Sequence, residues 1–140
     1  MTPSITNSPG YLLQQLASHL THQADQSLQE RLGIGFSEYK ILLIVEQNSK
    51  IQQRDIANSL GQTEASISRQ IRLLLGKGLL ITRVDTKDRR SHVTRLTPSG
   101  ERMVDAAHQV FIDSNKTLFE PLSEKQRNQF QVLVERLNNN

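Results

Sequence analysis

The chain has 140 residues, 36% of them hydrophobic, and no cysteine. That length suits one domain or one compact module with dimerisation arms, and it leaves no disulfide framework or thiol redox switch. The net charge of +3 is unevenly spread: residues 1–49 hold two basic and four acidic side chains (net −2), residues 50–98 ten and four (net +6), and residues 99–140 five and six (net −1). A basic block inside a balanced chain is the footprint of a polyanionic partner. No apolar run is long enough to span a membrane, and the N-terminus has neither the charged nor the apolar region of a signal peptide, so the expected location is cytoplasmic.

Taken in order, Ser8-Pro9 reads as an N-cap followed by proline at the first helical position. Leu12, Leu13, Leu16, Leu20 and Leu28 then recur at helical spacing as far as Leu32, and Gly33 and Gly35 end the run. Such a helix is roughly 35 Å long, more than one small core can bury. A second helix is predicted from Ser37, apolar over much of its girth from Tyr39 to Val45, followed by a loop at Asn48-Ser49-Lys50. Residues 53–60 form a short helix broken by Gly61, and residues 63–77 a longer one stopped by Gly76 and Gly78. Leu79 to Val84 and His92 to Leu96 read as strands joined by a charged hairpin loop, 85–91. Thr97-Pro98 opens a fifth helix to about Leu118. Ser123 with Gln126 caps a sixth that carries Phe130, Leu133, Val134 and Leu137. The fold class is therefore mostly α with a small β-hairpin wing: a winged helix-turn-helix core with helical dimerisation arms. The division expected is 1–36, an N-terminal dimerisation helix; 37–97, the DNA-binding region; and 98–140, C-terminal dimerisation helices.

The short helix, glycine turn and longer helix over 53–77 have the helix-turn-helix form, in which the second helix enters the DNA major groove. At 100° per residue, Ile67, Ile71 and Leu74 make a buried stripe, with Gln62, Ala65, Arg69 and Arg72 opposite and Ser66 at the edge. Arginine pairs bidentately with guanine, and Thr63 and Ser66 can bond bases or phosphates. The loop between the strands carries Lys87, Arg89 and Arg90 beside Asp85 and Asp88. A basic hairpin there can place an arginine in the minor groove, and an Asp88–Arg90 pair would hold that arginine in position.

Asp88-Arg89-Arg90 followed by Leu96-Thr97-Pro98-Ser99-Gly100, together with Leu60-Gly61, Ser66-Ile67-Ser68-Arg69 and Lys77-Gly78-Leu79-Leu80, resembles the MarR-type transcriptional regulators over about residues 9–138. The resemblance implies a triangular homodimer on a palindromic operator, with the first, fifth and sixth helices interlocked. It also implies base contacts from Ala65, Ser66 and Arg69, phosphate contacts from Gln53, Arg54 and Arg89, and Arg90 in the minor groove. By position, Leu16, His19, His22, Phe36 and Tyr39 would line a pocket for a small aromatic acid whose binding releases a repressor from DNA. An effector does this only by binding the two spacings of the reading heads with different affinity.

No cofactor is expected. His19 and His22 share a helix face but lack a third ligand, so no metal is assigned to them, and His92 and His108 read as structural or surface residues. No phosphate-binding glycine loop, nucleophilic triad or acid pair argues for an enzyme. A winged helix used as a protein-interaction module, or as a nonspecific architectural DNA binder, is the alternative the residues leave open.

Overall fold

A computed structural model describes residues 4–48, 50–88 and 92–140. After a single 3-10 turn at Ile5–Asn7, the elements are α1 (Pro9–Leu32), α2 (Phe36–Gln47), α3 (Gln53–Leu60), α4 (Glu64–Gly76), β1 (Leu80–Val84), β2 (His92–Leu96), α5 (Pro98–Phe119) and α6 (Glu124–Asn138). Helix α1 opens on Ser8, whose hydroxyl accepts from the Tyr11 N–H, and Gly33 caps its other end. Helix α2 starts one residue before the predicted position. Gly35 is its N-cap, and the earlier start is held because Asp25 of α1 accepts from the Phe36 N–H at 2.9 Å and Glu38 accepts from the Gly35 N–H at 3.2 Å.

Gly61 takes φ 64°, a left-handed turn that favours glycine, and swings the chain from α3 into α4. Thr63 caps α4 by accepting from the Ser66 N–H at 3.1 Å. The two strands pair antiparallel from Leu80 opposite Leu96 to Val84 opposite His92. An unforeseen third contact joins them: Ile51 bridges Thr94, whose N–H donates to the Ile51 carbonyl at 3.1 Å. Thr94 is the buried polar residue of this sheet, and that bond satisfies its backbone donor.

The start of α5 is locked to the hairpin. Thr97 donates its hydroxyl to the Gly78 carbonyl at 2.6 Å and its N–H to the Leu79 carbonyl at 3.1 Å, while its hydroxyl oxygen accepts from the Gly100 N–H at 2.9 Å. A Cβ on Gly100 would lie 2.0 Å from the Leu79 carbonyl oxygen, so the approach of α5 to the chain before β1 requires glycine. The Thr-Pro-Ser-Gly run is thus a joint as well as a helix start.

One core unites these parts. Leu28 of α1, Ile34, Ile41 and Leu42 of α2, Ile56 of α3, Ile67 and Leu74 of α4, Leu80 of β1 and Val104 of α5 are fully buried. Only Ala24 and Leu28 of α1 are buried, and no residue of α6 is. Tyr11, Leu12 and Leu13 at one end of the chain and Val132, Leu133 and Leu137 at the other are exposed. No helix among the described residues is long and apolar enough to cross a membrane.

Candidate nucleic-acid interface

Helix α4 buries Ile67, Ile71 and Leu74 and turns Ala65, Arg69 and Arg72 outward. Arg69 and Arg72 make no hydrogen bond or ion pair among the described residues, and the same holds for exposed Arg54 at the start of α3. Their guanidinium donors are therefore open to an anionic or base-edge acceptor. Gln53 is half-buried and donates from Nε2 to the Glu64 carbonyl at 3.4 Å, tying α3 to the first turn of α4. Leu73, unremarked in the helical pattern, is 58% exposed on the same side as Arg69.

Gln62 does not join that outward face. It precedes the N-cap, where the helical wheel does not apply, and its side chain turns inward to α2. Its Nε2 donates to Ser37 Oγ at 3.0 Å; Ser37 donates to Gln70 Oε1; and Gln70 Nε2 donates to Gln62 Oε1 at 2.8 Å. The three side chains form a closed ring in which every member both gives and receives. Ser66 is attached to it, donating to Gln62 Oε1 at 3.2 Å and accepting from Gln70 Nε2 at 3.2 Å.

In the hairpin, Asp85 accepts from the Lys87 N–H at 3.0 Å and so shapes the turn out of β1. Asp88 is exposed at the near side of the tip. Arg89 and Arg90, and with them the proposed Asp88–Arg90 pair, lie outside the described residues.

The five residues assigned to an effector pocket do not share one cavity. A groove of about 540 Å³ runs between α1 and α2, with His22, Asp25, Phe36, Ser37 and Lys40 among its lining. Lys40 Nζ stands 5.0 Å from the Phe36 ring centre, which gives the groove a cation over an aromatic face. Leu16 is half-buried and His19 exposed, and neither lines it. Tyr39 is in the core at 4% exposure, packed with Phe36 and Phe111. Its hydroxyl is 2.6 Å from His108 Nδ1, and His108 Nε2 is 3.2 Å from Glu46 Oε1. The Glu46 carboxylate only accepts, so in the neutral imidazole Nε2 carries the proton and Nδ1 accepts from Tyr39. Burial, and after it the charge of Glu46, push the Tyr39 phenol above its ordinary value. His108 is thus a tie between α2 and α5, a role that spacing alone could not reveal. With Glu46 and Asp105 it forms a group whose donor atoms lie within 4.8 Å of one another and could hold a cation. His19 and His22 belong to no such group among the described residues.

Comparison with known proteins agrees with this geometry. A family profile described as "MarR family" matches residues 32–91. Among curated proteins, the HTH-type transcriptional regulator BilQ of Clostridium symbiosum (strain WAL-14163) is 24% identical over 108 residues, 77% of this chain and 75% of that protein. A crystal structure of an S. aureus MepR–DNA complex is similar over 94% of this chain and 97% of that one, with 28% identity and a TM-score of 0.77. Wild-type MarR from E. coli in its apo form shares the fold over 97% and 98% of the two chains, with 18% identity and a TM-score of 0.87.

Proposed function

We propose that the chain belongs to the MarR family, whose profile matches residues 32–91, and that it is a homodimeric, sequence-specific regulator of transcription that binds double-stranded DNA in the cytoplasm. It has no enzymatic role in this reading. The observation that carries it is the outward face of α4: two arginines, Arg69 and Arg72, with no partner among the described residues, flank small Ala65 on a helix held by a helix-turn-helix. A major groove admits such a helix, and small residues allow its backbone to approach the bases.

Arg69 reads a base edge and Arg72 a base or phosphate. Thr63, Gln53 and Arg54 anchor phosphates, and Ala65 and Ser66 face the bases. The hairpin between β1 and β2 is a wing for the adjacent minor groove, with the roles that the family resemblance implies: Arg90 for the groove, Arg89 for a phosphate and Asp88 as its neighbour. The exposed leucines of α1 and α6 are covered by a second copy, and two-fold symmetry then requires a palindromic site with half-sites about one helical turn apart.

Repression is relieved by a small aromatic acid in the α1–α2 groove, where Phe36 offers a ring, Lys40 a cation and His22 an imidazole hydrogen-bond partner. Tyr39 packs against Phe36 behind that site, and Leu16 and His19 are no part of its lining.

Selection from a random duplex library at near-physiological salt tests this reading. A palindrome with half-sites about one turn apart is expected. Sequence-blind enrichment that disappears with added salt would instead identify an architectural binder, and no enrichment would favour a protein-interaction module. Titration calorimetry with salicylate tests the groove; absence of saturable heat removes that class of effector.

A further inference from the structure

A serine in the major groove is ordinarily an ambiguous reader, because its hydroxyl can donate to one base and accept from another. The ring built by Ser37, Gln62 and Gln70 removes that ambiguity. The Ser66 carbonyl can only accept, and it lies 3.3 Å from Gln70 Nε2, which fixes which end of the Gln70 amide faces Ser66. Gln70 Oε1 must then receive the Ser37 hydroxyl, and Gln62 Oε1 must receive the second Gln70 donor. The Ser66 proton goes to Gln62 Oε1, and the other Gln70 N–H is shared between the Ser66 carbonyl and one lone pair of the Ser66 hydroxyl. What remains for an outside partner is a single lone pair.

We infer that Ser66 is presented to DNA as a hydrogen-bond acceptor only, and that Gln62 and Gln70 are positioning residues which set this polarity. The inference rests on the DNA-reading function proposed above. Its consequence is a definite base class. In the major groove, adenine offers N6–H and cytosine N4–H as donors, whereas guanine and thymine offer only acceptors on their own edges. Ser66 therefore selects an amino base, A or C, over a keto base, G or T, at one position of each half-site.

Several features make the ring suited to this work. Ser37 belongs to the first turn of α2, so the polarity of Ser66 is anchored in the core helix rather than in the recognition helix alone. The Gln62 and Gln70 side chains are only partly exposed, which limits competition from water. Thr63, by contrast, has one of its oxygen lone pairs engaged by the Ser66 N–H and keeps its hydroxyl proton. The first turn of α4 thus offers a donor at Thr63 beside an acceptor at Ser66.

The test is duplex selection with the full-length wild type, Ser66→Ala and Gln62→Met. The position that loses its preference in Ser66→Ala is the one Ser66 reads. In the wild type it is expected to be A or C. In Gln62→Met the Ser66 proton is released, so G and T become acceptable there while the positions read by Arg69 are unchanged. A merely structural role for Gln62 would lower affinity for all sequences alike and leave that single preference intact. G or T at the wild-type position, or a preference that survives Gln62→Met in a folded protein, overturns the inference.

A second measurement is independent of how the ring variant folds. Replacing the selected adenine by purine, which lacks the 6-amino group (or, where cytosine is selected, by 2-pyrimidinone), is expected to weaken wild-type binding about fivefold, the worth of one hydrogen bond. Binding by Ser66→Ala should not change. Equal weakening in both proteins overturns the inference. A wild-type library without any motif overturns the DNA-reading function and this inference with it, whereas a motif without a Ser66-dependent position overturns this inference alone.

Discussion

The reading head, α2 to β2, and the arms, α1 and α6, dispose of their apolar residues differently. In the head, Ile41, Leu42, Ile56, Ile67, Leu74 and Leu80 meet in one core. In the arms, Leu12 and Leu13 near the start and Val132, Leu133 and Leu137 near the end face outward, and Leu133 is 55% exposed. Helix α6 meets α5 around Phe119 and Phe130, whose rings are 5.7 Å apart, and Arg127 donates to the Phe119 carbonyl at 3.4 Å and to the Leu122 carbonyl. The head closes its core within one chain, with Leu28 of α1 and Val104 of α5 as part of it, whereas the outward apolar residues of α1 and α6 are left for a second copy to cover. Stability of the head should therefore be a property of the chain, and stability of the arms a property of its concentration.

The largest effect that sharpens this contrast is expected in the head. Leu74→Ala should cost about 3 kcal/mol of unfolding free energy, measured by urea denaturation. Because Leu74 lies inside one chain, that loss should be the same at every protein concentration. Leu133→Asp should instead leave the fold of one chain nearly unchanged and cost association about 2 kcal/mol, by burying a charge against an apolar partner. Sedimentation would show monomers; an intact dimer would remove Leu133 from the interface.

On DNA, Arg69→Ala should cost about 1–3 kcal/mol and relax preference at one position. Arg54→Ala should weaken all sequences alike, by under about 1 kcal/mol at moderate salt, and lower the salt slope by about one. Fluorescence titrations with the selected and a scrambled duplex separate the two. If Arg69→Ala also weakened all sequences equally, it would be a phosphate contact.

The smallest effect is a pH dependence at the seam between head and α5. The Tyr39 phenol is held above its ordinary value of 10.0, so its neutral form is favoured in the folded chain. That contribution is complete below the ordinary value and is lost as pH rises through the raised one. Stability should fall on the alkaline side in the wild type and fall less in Tyr39→Phe, read by urea denaturation at stepped pH.

The order and boundaries of the helices were legible because their signals are local. Ser8-Pro9, Thr97-Pro98 and Ser123 with Gln126 cap where expected, and glycines stop where expected. Features that depend on distant partners were not. The start of α2 moved to Phe36 because Asp25, eleven residues away, accepts from its N–H. The bridge from Ile51 to Thr94 leaves no periodic trace in either segment. Gln62 was placed with Arg69 by angle, yet Ser37 draws it inward. The same wheel, applied to every residue of α4, would have found exposed Leu73. Tyr39 was placed in a pocket by its position on α2, and no local pattern could have shown His108 waiting for its hydroxyl on α5.

The joint at Thr97 and Gly100 has a mechanical consequence. Because the hairpin root and the first turn of α5 are held by the same hydrogen bonds, and no room exists for even one methyl group between them, wing and arm turn as one body. Helix α5 has 22 residues, a lever of about 33 Å. A tilt of about 5° at its far end carries the hairpin about 3 Å, close to the roughly 3.4 Å rise of one base step. A disturbance among the arms too small to unfold anything is therefore enough to move the wing from one step of the groove to the next.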